Sequence, residues 1–301
     1  MWYITKKNYE AYVLGSTFFA TGGGLPPDQH AEMFKGLLNS ALALPVQACE
    51  EFHKDDLLVS LYGIGDPSLV DNQSSKSISD VITQWDQVVG VRITGFIPGE
   101  IGAEADVCSA ALSLGVPVVD SDLVGGRAAP EVSMDVFTVR ALPIVPVLVI
   151  DTDGSTLVID EPLRGDEIEE RARTFLTSHS SNGVLIGYGI TAGHYARAGM
   201  LGTLSQTLRV GTILKNGDLN GALHLCSGQI VAQEKLTSVD LSSKGGFCVG
   251  HLRFERSTIR VKNENMILES GGARISTAPD MIIITTPEGI PIHNADVAQY
   301  V

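Results

Sequence analysis

Basic side chains are scarce in this chain: 21 Lys and Arg stand against 35 Asp and Glu, for a formal charge of −14. They cluster nowhere, so a phosphate backbone would be repelled and nucleic acid is excluded as an expected partner. Cysteines are few. Cys49, Cys108, Cys226 and Cys248 include no CxxC pair, which argues against a disulfide framework and for reduced thiols in a cytoplasmic protein. No apolar run approaches the roughly 18–20 residues that span a bilayer, so no membrane partner is expected. The first residues, "MWYITKKNYEAYVLGSTFFATGG", set two lysines before an apolar stretch as a secretory signal would, but Asn8, Glu10, Gly15 and Ser16 break it. The seven histidines form no HxH, HxxE or HExxH pattern, and there is no GxSxG elbow. A sequence-local metal site and a serine nucleophile are thereby disfavoured.

What is abundant is apolar residues, 44% of the chain, and 32 glycines, pointing to large cores and many tight turns. Up to about residue 145 strand-like runs ("DLLVSLYGIG", "VRITGFI", "VPVVD") alternate with helical ones ("DQHAEMFKGLLNSALAL", "ISDVITQWDQVV", "GEIGAEADVCSAALSLG", "PEVSMDVFTVRAL"). That alternation predicts a layered α/β domain with a parallel sheet. Asp153-Gly154 between two apolar runs predicts a hairpin, and Asp166 with Glu169 is spaced like a capping box. Beyond Leu219, short apolar runs between Gly, Asn, Ser and Pro, down to "DMIIITTPEGIPI", predict an antiparallel sheet or small barrel. The expected organisation is an α/β domain over 1–163, then a helix pair and a β-rich, barrel-like domain over 164–301.

The candidate chemistry gathers at three places. In "TGGGLPP", Gly22, Gly23 and Gly24 precede a helix and could turn N–H groups toward an anion, or simply join two helices; with a helix rather than a strand before them they are no dinucleotide fingerprint. "GYGITAG" (187–193) matches that fingerprint only weakly. In "PGEIGAE", Glu100 and Glu104 would suit a helix N-terminus, but Glu100 also follows a strand, where ligands of open α/β sheets collect. In "PVVDSDLVGGRAAPE", Asp120 obeys the same rule, and Asp122, Arg127 and Glu131 follow. The stretch is either an Asp-capped turn with an internal ion pair or a site in which Arg127 grips a carboxylate. His224 with Cys226, and Cys248 with His251, are pairs that a metal could use but that core or surface placement also explains.

These motifs together resemble the S-methyl thiohydantoin desulfurase-like family. The likeness is carried by "LGSTFFATGGGLPP", "GIGDP", "PGEIGAE", "PVVDSDLVGGRAAPEVSM", "GTLSQTLRVG", "GFCVGHLRFE", "IRVKNEN" and "APDMIIITTPEGIPI", in that order along nearly the whole chain. The resemblance implies an α/β layer followed by a barrel-like domain, and hydrolysis of the carbon–sulfur bond of a thiohydantoin or related cyclic amide. For that chemistry Asp120 or Glu131 would be the base, with Glu100 beside them; Asp122 and Arg127 would hold substrate, and the N–H groups of Gly22, Gly23 and Gly24 would meet the developing negative charge. A zinc ion could assist. Members occur with hydantoinase-type proteins, so a hydantoinase-type partner or a homo-oligomer is expected. The rival expectation is a non-catalytic ligand-binding or regulatory partner of such an enzyme.

Overall fold

The computed structural model of the chain describes residues 1–64, 75–129, 134–179, 182–244 and 247–301, with the side chains of 75–77 and 243 left out. The first half contains β1 (Trp2–Thr5), α1 (Tyr9–Phe19), α2 (Pro27–Ser40), β2 (Ala43–Gln47), β3 (Leu57–Ile64), α3 (Ser75–Val89), β4 (Gly95–Pro98), α4 (Glu104–Leu114), β5 (Val118–Val119), β6 (Ser121–Asp122) and α5 (Val136–Val139). Then follow β7 (Val147–Asp151), β8 (Thr156–Ile159), α6 (Gly165–Ser178), β9 (Gly183–Thr191), α7 (Ala192–Ala198), β10 (Met200–Leu201), α8 (Thr203–Lys215) and α9 (Leu219–Leu225). The last strands are β11 (Leu236–Lys244), β12 (Phe247–Phe254), β13 (Ser257–Lys262), β14 (Asn265–Ser270) and β15 (Ala273–Thr277).

Eight strands form one sheet in the order β1-β2-β5-β4-β3-β9-β7-β8. Its central strands are apolar on both faces because helices cover both. Val59, Leu61, Leu148 and Ile150 face a core built with α1–α4, α8 and α9. Their neighbours Leu58, Val147 and Val149 face a second core built with α5, α6 and α7. The expected parallel sheet is only partly realised: β2, β5, β4 and β3 run parallel, whereas β9, β7 and β8 join antiparallel. The physical reason is the short Asp153-Gly154 connection, which reverses the chain between β7 and β8, and the return of β9 alongside β3. Residues 183–215, grouped by the sequence reading with the second half, therefore build on the first sheet. The signal-like opening stretch is α1, whose Val13, Phe18 and Phe19 lie in the core.

α8 lies across α1 at glycines. A Cβ on Gly15 would fall 2.0 Å from Thr207 O, and one on Gly211 would fall 1.7 Å from Ala11 O. The expected Asp166/Glu169 capping box is not the one used: Glu167 accepts from the Arg164 N–H at the start of α6, while Glu169 pairs with Arg173 one turn on.

The second domain is a meander, β11-β12-β13-β14-β15, every neighbour antiparallel. Among the described residues no ladder joins β11 to β15, so it is an open sheet. The run "DMIIITTPEGIPI" forms no regular strand; a bridge between Thr285 and Pro291 folds it back, and Ile282 and Ile292 enter the core under the meander. His224 and Cys226 sit at the end of α9 rather than on a strand, so strand alternation does not align them.

Candidate active site

The glycine loop lies where the two domains meet, and its backbone is shaped for that contact. Thr21, Gly22 and Gly24 have positive φ (50°, 86° and 71°), and Asn294 from the second domain donates its backbone N–H to Gly22 O. The Ala295 N–H donates to His293 Nδ1, so Nε2 carries the proton and donates to Gly24 O at 3.2 Å. Gly24 packs against Gly102, whose carbonyl accepts from the Leu25 N–H. A Cβ on Gly24 would fall 2.7 Å from Gly102 Cα.

Opposite Gly23 stands Glu264, delivered by the short turn between β13 and β14. Asn263 there adopts a left-handed conformation (φ 48°) and locks onto β12 by giving its N–H to Cys248 O and taking the Cys248 N–H on its side chain. Glu264 is 6% exposed, and its Oε1 occupies the space that a Cβ of Gly23 would fill. The Gly24 backbone hydrogen-bonds to the same carboxyl. The anion seated on the glycine loop thus comes from the chain itself.

Glu100 closes the other side. It follows β4, and its Oε2 accepts the Ala129 N–H at 2.8 Å. Part of its surface stays open, yet burial of the carboxyl, then the nearby Glu264 charge, hold its pKa well above the ordinary carboxylate range. Burial likewise pushes Glu264 up to about 7, against the pull of its backbone hydrogen bonds and of Arg127. Arg127 lies within electrostatic reach of both. Its Nε donates to Ala128 O and one terminal nitrogen to Pro279 O of the second domain, whereas Nη2 is buried without a partner among the described residues. Glu264 Oε2 and Asn265 Oδ1 are also buried with no partner among the described residues. Buried orphan atoms are uncommon enough to require a reason.

Gly22, Gly23, Gly24, Glu100 and Arg127 therefore converge. The expected role of the glycine N–H groups as free donors meets a competing use: Gly23 N–H donates to Ala20 O, and Gly24 serves Glu264. Asp120 is engaged elsewhere. Its Oδ2 accepts from the Trp2 indole at 3.1 Å and its Oδ1 from the Ser205 N–H at 2.9 Å in the first turn of α8, a structural use of both oxygens. Asp122 folds its own loop, taking the N–H groups of Val124 and Gly126, and burial raises it to about 6. Glu131 lies outside the described residues. Among those described, no group of three or more His, Cys, Asp or Glu side chains is arranged to hold a metal ion.

Glu264, Asn265, His293 and Asn294 join the site although no catalytic or binding motif in the sequence marks them. The available signal was "KNEN": an acid between two asparagines at a turn flanked by alternating apolar residues.

The family comparison divides the chain as its halves suggest. The model for the S-Me-THD-like N-terminal domain matches residues 7–161, and that for the S-Me-THD-like C-terminal domain matches residues 164–299. The chain belongs to the S-Me-THD-like family. The sequence-level resemblance is thereby borne out, and the family's domain boundary falls between α6 and the hairpin before it, although the sheet of this S-Me-THD-like protein crosses it. No curated protein matches the chain. A crystal structure of a protein from Chromobacterium violaceum shares the fold, at 21% identity and a TM-score of 0.79, covering 98% of this chain and 86% of that one. No described helix is long and apolar enough to cross a membrane.

Proposed function

We propose that this protein hydrolyses the carbon–sulfur bond of an S-alkylated thiohydantoin or closely related cyclic amide where the glycine loop, Glu100 and Glu264 meet. The observation that carries the reading is a set of three buried polar atoms without a partner among the described residues: Arg127 Nη2, a donor within electrostatic reach of Glu264, and Oε2 of Glu264 and Oδ1 of the next residue, Asn265, both acceptors. A cyclic amide presents a carbonyl acceptor and ring nitrogens on one edge, and so complements that set. The family name supports the substrate class.

The paired carboxyls then divide the work. Glu100, held protonated by burial and by Glu264, is the acid; Glu264, titrating near neutrality, is the base that draws a proton from water. Water adds to the ring carbon bearing sulfur, the carbon–sulfur bond breaks, and the proton from Glu100 leaves with the sulfur as a thiol. The ring keeps the water oxygen as a carbonyl, the second proton of that water passes to the ring nitrogen that had been doubly bonded to the carbon, and the proton taken by Glu264 returns to Glu100, so the step balances as hydrolysis.

The test is thiol release from a panel of S-methyl thiohydantoins. The expected result is one thiol per hydantoin formed, with Glu264→Gln and Glu100→Gln slower by roughly 10²–10⁴-fold at a melting temperature no lower than the parent's. No thiol from any substrate of the panel, or full activity in Glu264→Gln, would sink the reading.

A further inference from the structure

Behind the glycine loop lies a second buried acid that the proposed chemistry does not use. Glu104, fully buried in the first turn of α4, collects bonds from three separate elements. Tyr12 and Ser16 of α1 donate their hydroxyls to it, at 3.1 Å and at 2.9–3.2 Å. The Gly102 N–H donates to its Oε2 at 3.0 Å. His30 of α2 places Nε2 3.4 Å from the same oxygen; burial keeps that imidazole neutral, with a pKa of about 3, so the contact is no ion pair.

Gly102 belongs to a strap, residues 99–103, on which the site depends. Glu100 projects from it. The neighbouring Ile101 N–H donates to Arg127 O at 3.0 Å, and Gly102 O takes the Leu25 N–H at 2.8 Å, next to the glycine loop. Gly102 itself sits at φ 115°, where only glycine is comfortable, so the strap's shape needs an outside hold. Among the described residues, the side chain bonded to its backbone N–H is that of Glu104.

We infer that Glu104 is a positioning residue: through Gly102 it fixes the strap that aims Glu100 and ties the glycine loop and the Arg127 segment to it. Its role in turnover rests on the hydrolase reading above; its hold on the strap does not. Glutamate suits the task because two oxygens can accept from α1 and from Gly102 together, a span no single hydroxyl bridges.

Amide hydrogen exchange and steady-state kinetics on the whole chain separate the two. In Glu104→Leu, exchange at Gly102, Ile101 and Leu25 should rise roughly tenfold or more while the amides of β3 and β4 keep their protection. kcat should fall about tenfold to a hundredfold with little change in KM, since misaimed groups slow the reaction more than binding. Glu104→Gln keeps an acceptor for Gly102 and should restore both. If Glu104→Leu does not fold, the double change Tyr12→Phe with Ser16→Ala frees the carboxyl from α1 and should give the same signature. Unchanged exchange at Leu25 and Ile101 would overturn the inference, as would loosened exchange with parental kcat. A parent without thiol release would defeat the hydrolase reading alone, because exchange still reads the hold.

Discussion

At Gly23 a single missing methyl group lets the domains close on each other. A Cβ there would lie 1.6 Å from Glu264 Oε1 and 2.3 Å from Cδ, and φ is not in the left-handed region, so any cost is steric rather than conformational. Gly23→Ala should therefore fold but expel Glu264 from its seat. Thiol release should fall about as far as in Glu264→Gln, roughly 10²-fold or more, with a melting temperature only slightly lowered; parental activity would show that Glu264 does not act from that seat. The same position shows what the sequence could and could not disclose. The glycine run, Glu100 and Arg127 were visible, because residue type and position after a strand carry local meaning. Glu264 was not, since it reaches the loop from a turn some 240 positions along, and nothing local records that encounter. Asp120 shows the complementary case: its place after β5 suits a catalytic base, while Trp2 and Ser205, distant in sequence, donate to both its oxygens.

Among the elements, the crossing of α1 and α8 brings two distant parts of the chain into backbone contact. Gly15 and Gly211 admit backbone against backbone, and the atoms a new Cβ would meet are carbonyl oxygens that cannot swing aside. Gly211→Ala should force the helices apart and destabilise by about 1–3 kcal/mol or more, although alanine is intrinsically the better helix former. Thermal denaturation checks this, and an unchanged or higher melting temperature would mean that the crossing relaxes freely. Helices α3, α4, α6 and α8, strands β3 to β5 and the Asp153-Gly154 hairpin were all readable, since each rests on its own periodicity or turn chemistry. The neighbour of β3 was not. "GVLIGYG" declares a buried strand but not its partner, and pairing with β3 rather than with later strands is decided by tertiary packing. Likewise Ile282, Ile284 and Ile292 of "DMIIITTPEGIPI" mark burial, which they achieve as a folded-back loop over the meander.

For the whole molecule, the decisive feature is how its acids are distributed. Burial raises Asp106 and Asp122 to about 6, Glu104 and Glu264 to about 7, and Glu100 well above its usual range. Each of these groups binds its proton more tightly folded than unfolded. Between the unfolded values, near 4, and the folded ones, the native state holds more protons, so stability falls as pH rises through that window. Two sets act in the opposite sense: the exposed acids with lowered pKa, Glu10, Glu51, Asp166 and Glu234, below their ordinary values of 4.5 or 3.8, and the buried His30 and His293 below their ordinary 6.5, two groups against five raised acids. Repulsion within a chain of charge −14 adds to the loss at high pH. The melting temperature should therefore be highest near pH 5 and decline toward pH 8, by roughly 2–4 °C for each kcal/mol lost. Replacing Glu104 by Gln removes one of the titrating acids and should flatten the decline. A melting temperature that is level or rises between pH 5 and pH 8 would show that these carboxyls ionise within the fold without penalty, and with them would go the protonated Glu100 on which the proposed acid catalysis depends.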